Sequence, residues 1–176
     1  MHEKLFIPET LSAAWSANLA LTPPSSLRLL RGVVEHGANN ACLVPAKVLF
    51  AHWSATLTSH PHTHPSVAPC AEGVVEWAYR LGRDPSATFG ISNFGRYNEE
   101  GTQVSPQGGR HRAAALLLLG VDPVPVWFDN APDDCTVVGA DSIEVRVRTD
   151  VEAVANAFYA EFYKQLPQKR PWWRVW

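Results

Sequence analysis

The sequence predicts a single α+β domain, a mixed sheet with flanking helices. Three observations lead there. The chain has 176 residues, a length that suits one domain. Hydrophobic residues make up 46% of it and tryptophan occurs 7 times, enough to bury a core. Apolar runs at helical spacing also mix with alternating, aromatic-rich runs in no strict order, which argues against a regular βαβ array.

The elements follow in chain order. Leu11–Leu21 is compatible with a helix that Pro23-Pro24 stops. Ser25 or Ser26 can cap a second helix, LRLLRGVVEHG, which Gly37 ends. Residues 1–40 therefore read as a helical N-terminal extension. Asn39-Asn40 turns into Ala41–Val44, a short strand bounded by Pro45. Ser54–Pro69, rich in proline and histidine, reads as an ordered loop. Glu72–Gly82 is an amphipathic helix closed by its glycine.

Thr88–Tyr97 alternates apolar and polar residues and reads as one strand, with Asn98–Gly101 as the turn and Thr102–Ser105 as its partner strand. Gly108-Gly109 is a tight turn before a helix over Arg110–Leu119, built of strong helix formers and ended by Gly120. Val121–Phe128 is a short buried strand. Asp129–Asp134 is an acidic loop, and Thr136–Val138 with Ser142–Arg148 can form a hairpin. Asp150 is a good N-cap for Val151–Leu166, with Val154, Ala157, Phe158 and Phe162 on one face.

Charge and cysteine content narrow the function classes. Fifteen Lys+Arg against 17 Asp+Glu give a formal net charge of −2, unlike the strongly basic domains that coat nucleic acid. The balance hides unlike parts. Asp122, Asp129, Asp133, Asp134, Asp141, Glu144, Asp150, Glu152 and Glu161 face only Arg146 and Arg148 in that stretch, whereas Lys164, Lys169, Arg170 and Arg174 follow with no acid. Cys42, Cys70 and Cys135 form no C-x-x-C pair, so neither a disulfide framework nor a thiolate zinc site is expected, and a reducing cytoplasm is the simplest compartment. No secretory signal is read at the N-terminus, and the longest apolar stretch, Ala113–Val121, is too short to span a bilayer. A soluble protein is expected.

The segment Gln107-Gly108-Gly109-Arg110-His111-Arg112-Ala113 carries the strongest chemical signal. A glycine turn leads into a helix N-terminus, where free N–H groups and the dipole favour an anion. Arg110 and Arg112 in that first turn are locally unfavourable by ~0.3–1 kcal/mol each, which calls for a negative partner. A phosphate is one such partner; acids elsewhere in the chain are the other. The motif is neither a P-loop nor a dinucleotide fingerprint.

The run GGRHRAAALLLLGVDPVPVWF resembles the glycine–x–(His/Arg)–Arg helix of the ParB/sulfiredoxin (ParB/Srx) superfamily, in which the helix is followed by glycine and a V-P-V strand. Leu43-Val44-Pro45 with Val48-Leu49, the helix Glu72–Gly82 and the strands Thr88–Tyr97 and Thr102–Ser105 follow that family's order. The resemblance covers residues 41–128, leaving 129–176 as a C-terminal extension with a basic aromatic tail. It implies a ParB/Srx-like mixed sheet and a phosphate site at Gly108, Gly109, Arg110, His111 and Arg112. Arg110 stands where sulfiredoxins carry the reactive cysteine, and Gly108 stands where free-serine kinases often carry Asp, so neither activity is carried over. Residues 129–176 do not read as the helix-turn-helix domain of partition proteins. The expectation is a stand-alone domain similar to the plasmid fertility-inhibition (Osa-type) branch, which interferes with conjugative DNA transfer.

The functional expectation is therefore a hydrolase, an ATPase or DNase, with ATP or CTP as substrate and a divalent metal such as Mg as helper. Arg110 and Arg112 would hold phosphate oxygens in bidentate geometry, and His111 would donate a proton or make a third contact. Glu99 and Glu100 are the candidate carboxylates for water or metal, and Arg96 and Asn98 could reach the phosphate; a solvated turn is the simpler reading of all four. DNA and a protein of the conjugative transfer machinery are the implied partners.

Two other features compete. His60, His62 and His64 would share one side of an extended segment and could bind a transition metal, or simply line an exposed loop. The tail KQLPQKRPWWRVW could stack on bases, dock on a partner, touch the inner membrane peripherally or fold back on the domain. A non-catalytic inhibitor or adaptor acting through that tail is the alternative function.

Overall fold

A computed structural model describes residues 26–34, 40–60, 64–128, 135–139, 141 and 143–165. The strands are β1 (Leu27–Val33), β2 (Asn40–Val44), β3 (Thr88–Gly90), β4 (Ser92–Arg96), β5 (Val104–Gly108), β6 (Val124–Phe128), β7 (Thr136–Gly139) and β8 (Glu144–Arg148). The helices are α1 (Ala46–Ser59), α2 (His64–Val67), α3 (Ala71–Arg83), α4 (Arg110–Leu118) and α5 (Val151–Gln165). The fold is α+β, with two mixed sheets. One has the order β3-β1-β8 and the other β5-β4-β6-β2-β7. The pairs β1–β3 and β4–β6 are parallel and the remainder antiparallel.

Residues 27–33 form a strand, not the helix that their sequence suggests. Leu30 and Gly32 point inward while Leu29, Arg31 and Val33 face out, a period of two. Gly32 decides the matter. A Cβ there would stand 2.6 Å from Ile143 Cγ2 and 2.9 Å from Phe89 Cζ, so the residue marks a close crossing of side chains over the strand. β1 lies between β3 and β8 in the smaller sheet, so residues 27–33 are not part of a helical extension. The expected helix Leu11–Leu21 lies outside the described residues.

Two further corrections come from sheet pairing. Thr88–Tyr97 is not one strand: Thr88–Gly90 pairs with β1, and Ser92–Phe94 pairs with β6, so the chain passes between sheets at Ile91. Thr136–Gly139 and Glu144–Arg148 do not pair as a hairpin. β7 adds to β2 at the edge of the larger sheet, while β8 pairs with β1 in the smaller.

Helix α1 runs through Ser54–Ser59, where the composition predicts a loop. Leu49, Phe50, Trp53, Thr56 and Leu57 recur at helical spacing and are buried, and the Asp122 carboxylate accepts the Ala46 N–H at its start, 2.9 Å away. Thr56 Oγ1 donates to the Val104 carbonyl at 2.8 Å, fixing α1 to β5. Helix α4 lies at the centre. Ala113 through Leu119 are all buried, as an all-apolar helix requires, and it packs on α3, β4 and β6. Only its first turn reaches the surface. At the other end of the chain, Asp150 precedes α5 as expected, but its carboxylate turns back to the Arg148 guanidinium, which donates from Nε at 2.9 Å. That pairing holds Asp150 below its ordinary carboxylate range.

Candidate functional site

Strand β5 ends at Gly108, and Gly109 turns the chain into α4 with φ +78°. That left-handed conformation favours glycine, and the surroundings demand it as well. A Cβ on Gly109 would lie 2.7 Å from Ser92 Oγ and 2.9 Å from an Arg112 terminal nitrogen. Ser92 Oγ donates to the Gly109 carbonyl at 3.0 Å, and the Ala113 N–H donates to that same carbonyl at 2.9 Å. No side chain caps α4. Gly108 differs: nothing lies within 4 Å of where its Cβ would be, and that open space gives onto a cleft.

The cleft holds about 180 Å3 and is lined by Val34, Ile91, Asn93, Gln107, Gly108, Arg112 and Trp127. This is smaller than the roughly 300–1,000 Å3 that encloses a drug-sized ligand, and suits a phosphate-sized group. The sheet register explains its walls. Asn93 of β4 sits opposite Trp127 of β6 and Gly108 of β5, so three strands bring an amide, an indole and the glycine turn together. Asn93 Oδ1 is buried without a hydrogen-bond partner among the described residues. The Arg112 guanidinium lies 5.5 Å from the Trp77 ring centre, with Arg80 at 4.9 Å from the same ring. The indole thus holds Arg112 over Gly109 at the lip of the cleft. Arg110, in the same turn, is half-buried, and its Nε has no hydrogen-bond partner among the described residues.

His111 is engaged differently from the sequence expectation. Its Nε2 accepts the Cys70 N–H at 3.1 Å and lies 3.4 Å from Cys70 Sγ. The ring packs on the first turn of α3, where a Cβ on Gly73 would come within 2.8 Å of it. Accepting an N–H requires a lone pair, so this nitrogen carries no proton toward a phosphate. His111 joins the N-termini of α3 and α4.

Glu99, Glu100 and Arg96 are not brought to the turn. In the β4–β5 hairpin Asn93 pairs with Gly108 at one end and Arg96 with Val104 at the other. That leaves three residues of strand, about 10 Å, before the turn holding the glutamates begins. Glu99 and Glu100 are exposed there, and Arg96 lies against Gly101. Asn98 closes that turn, accepting the Gln103 N–H at 2.9 Å and donating to Thr102 Oγ1 at 2.8 Å. Adjacency in sequence misleads, because the hairpin sends the two segments to opposite ends.

The histidine array is also absent as a strand. His60 follows α1, its ring 4.3 Å from that of Tyr97, and His64 begins α2; residue 62 lies outside the described residues. Among the described residues, no group of three or more His, Cys, Asp or Glu could hold a metal ion. No described helix is long and apolar enough to cross a membrane. The basic aromatic tail from Leu166 on lies outside the described residues. A larger cavity of about 340 Å3 lies beside Leu27, Asp122 and Arg146, but its carboxylate at Asp122 is already engaged at the start of α1.

No family model, curated protein or solved structure matches this chain. What the sequence leaves unmarked at the site is Asn93, Trp127, Ser92 and Trp77. Each becomes meaningful only through strand register or helix packing.

Proposed function

We propose that the turn from Gly108 to Arg112 binds the phosphate of a nucleotide or of DNA. The observation that carries this reading is Gly109, held left-handed at the start of α4 with the Arg112 guanidinium folded over it beside an open cleft. The helix start supplies N–H groups and a positive dipole end, Arg110 and Arg112 supply charge-assisted donors, and the missing Cβ at Gly108 leaves room for the anion. Trp127 offers a flat apolar wall and Asn93 a polar atom beside it, suited to the sugar or base attached to that phosphate.

By its resemblance to the ParB/Srx superfamily, the attached activity is hydrolysis of ATP or CTP, or of a phosphodiester, in a stand-alone domain of the fertility-inhibition kind that opposes conjugative DNA transfer. Glu99 and Glu100 stand at the wrong end of the hairpin to orient water for it. The test is binding of ATP, CTP and a single-stranded oligonucleotide to the wild type and Arg112→Ala, with hydrolysis followed with and without DNA. Binding weakened by about tenfold or more in the variant is expected, the worth of one charge-assisted contact. Equal affinity would remove the site.

A further inference from the structure

The Cys70–His111 contact lies outside the phosphate reading and carries chemistry of its own. The two residues are 41 positions apart and meet where α3 and α4 start side by side. Cys70 is the N-cap of α3, in extended conformation and half-buried. The Cys70 N–H donates to Nε2, so the nitrogen facing the sulfur carries no proton of its own, and it takes the thiol proton by releasing that N–H. A Cys sulfur 3.4 Å from that nitrogen is the arrangement of a nucleophile with its base.

We propose that Cys70 is a nucleophilic thiol, with His111 as its base, that takes up acidic low-molecular-weight disulfides by thiol–disulfide exchange. The proton leaves Cys70 Sγ for His111 Nε2 as the sulfur attacks one sulfur of the disulfide. The disulfide bond breaks, the departing thiolate takes the proton, and Cys70 is left in a mixed disulfide. The added disulfide is the oxidant, and one free thiol is released.

The acidic preference follows from the surroundings. Two helix N-termini converge at the pair, and Arg110 and Arg112 flank His111 in the first turn of α4. Glu72, the acid in the first turn of α3, has an interaction of its own. The other cysteines serve as internal standards. Cys42 is buried, and burial, with the neighbouring Cys135 thiol, pushes it up to about 12. Cys135 is half-buried, in the same class as Cys70, but has Cys42 beside it where Cys70 has an imidazole.

The test uses the full chain with one thiol retained: Cys42→Ala with Cys135→Ser keeps Cys70, and Cys42→Ala with Cys70→Ser keeps Cys135. Each is treated with glutathione disulfide and followed by intact mass. Cys70 is expected to be converted about tenfold faster than Cys135. Adding His111→Gln should remove that advantage at Cys70 and leave the Cys135 rate unchanged. Cationic cystamine should react at Cys70 with no comparable advantage. Equal rates at the two thiols, or an unaltered Cys70 rate in His111→Gln, would overturn the proposal. Cystamine as fast as glutathione disulfide would overturn its acidic preference. Should His111→Gln accelerate both thiols because the helices part, the comparison of Cys70 with Cys135 decides alone.

Discussion

The two ends of the β4–β5 hairpin make an instructive pair. Both hold glycine at positive φ, Gly109 at one end and Gly101 at the other, and both hold arginine close by. At the Gly101 end Asn98 closes the turn on itself. Asn98 accepts the Gln103 N–H, donates to Thr102, and its carbonyl takes the Gly101 N–H. At the Gly109 end a helix begins with no side-chain cap, an arginine is held against the turn, and a cleft opens beside it. One end is a closed turn; the other starts a helix that no side chain caps. Similar residues thus acquire different capacities from what the fold does with their hydrogen bonds.

Substitutions can break this contrast. The largest effect is expected for Gly109→Ala, which meets both a left-handed backbone and the 2.7 Å approach to Ser92 Oγ. It should cost on the order of 2 kcal/mol in urea denaturation, whereas Gly108→Ala, with open space at its Cβ, should fall within about 0.5 kcal/mol of the wild type. Trp77→Ala comes next. Removing the ring that holds both Arg80 and Arg112 should weaken ATP binding by roughly threefold to tenfold, since a cation–π contact is worth about 0.5–1 kcal/mol or more.

Asp150→Asn should cost about 1 kcal/mol, kept to the lower end because the carboxylate side chain is 35% exposed. Its folded carboxyl is held low by the Arg148 hydrogen bonds. The stabilisation is therefore present above the ordinary carboxylate range and lost as pH falls through the folded value. Denaturation midpoints of wild type and variant should differ near neutrality and converge in acid. The smallest effect is expected for Glu99→Gln with Glu100→Gln, which should leave phosphate binding unchanged in the same titrations. A loss there would mean that the closed end of the hairpin takes part after all.

The parts legible in the sequence are those whose signals are local. Helix α4 announces itself through an Ala/Leu run between Gly109 and Gly120, and α3 through its amphipathic spacing. β1 is hidden because Leu27, Leu30 and Val33 fit a helical period, and the reason for Gly32 lies in Ile143 and Phe89, far along the chain. α1 is obscured because the histidine and proline after it outweigh the spacing of Leu49, Phe50, Trp53 and Leu57. Within the site, the glycine turn and its arginines are readable. Asn93 and Trp127 are not, since only the register of β4 on β6 joins them. The same holds for Cys70 and His111, which a helix contact brings together.

The measurement that tests the central claim most directly is an ATP titration of the isotopically labelled protein, following backbone amide shifts at both ends of the hairpin at once. Saturable shifts concentrated at Gly108, Gly109, Arg110, His111 and Arg112, with Asn98, Glu99, Glu100 and Gly101 unmoved, are the predicted result. Shifts centred on the Asn98–Gly101 turn, or none in either, would contradict a phosphate site at the start of α4.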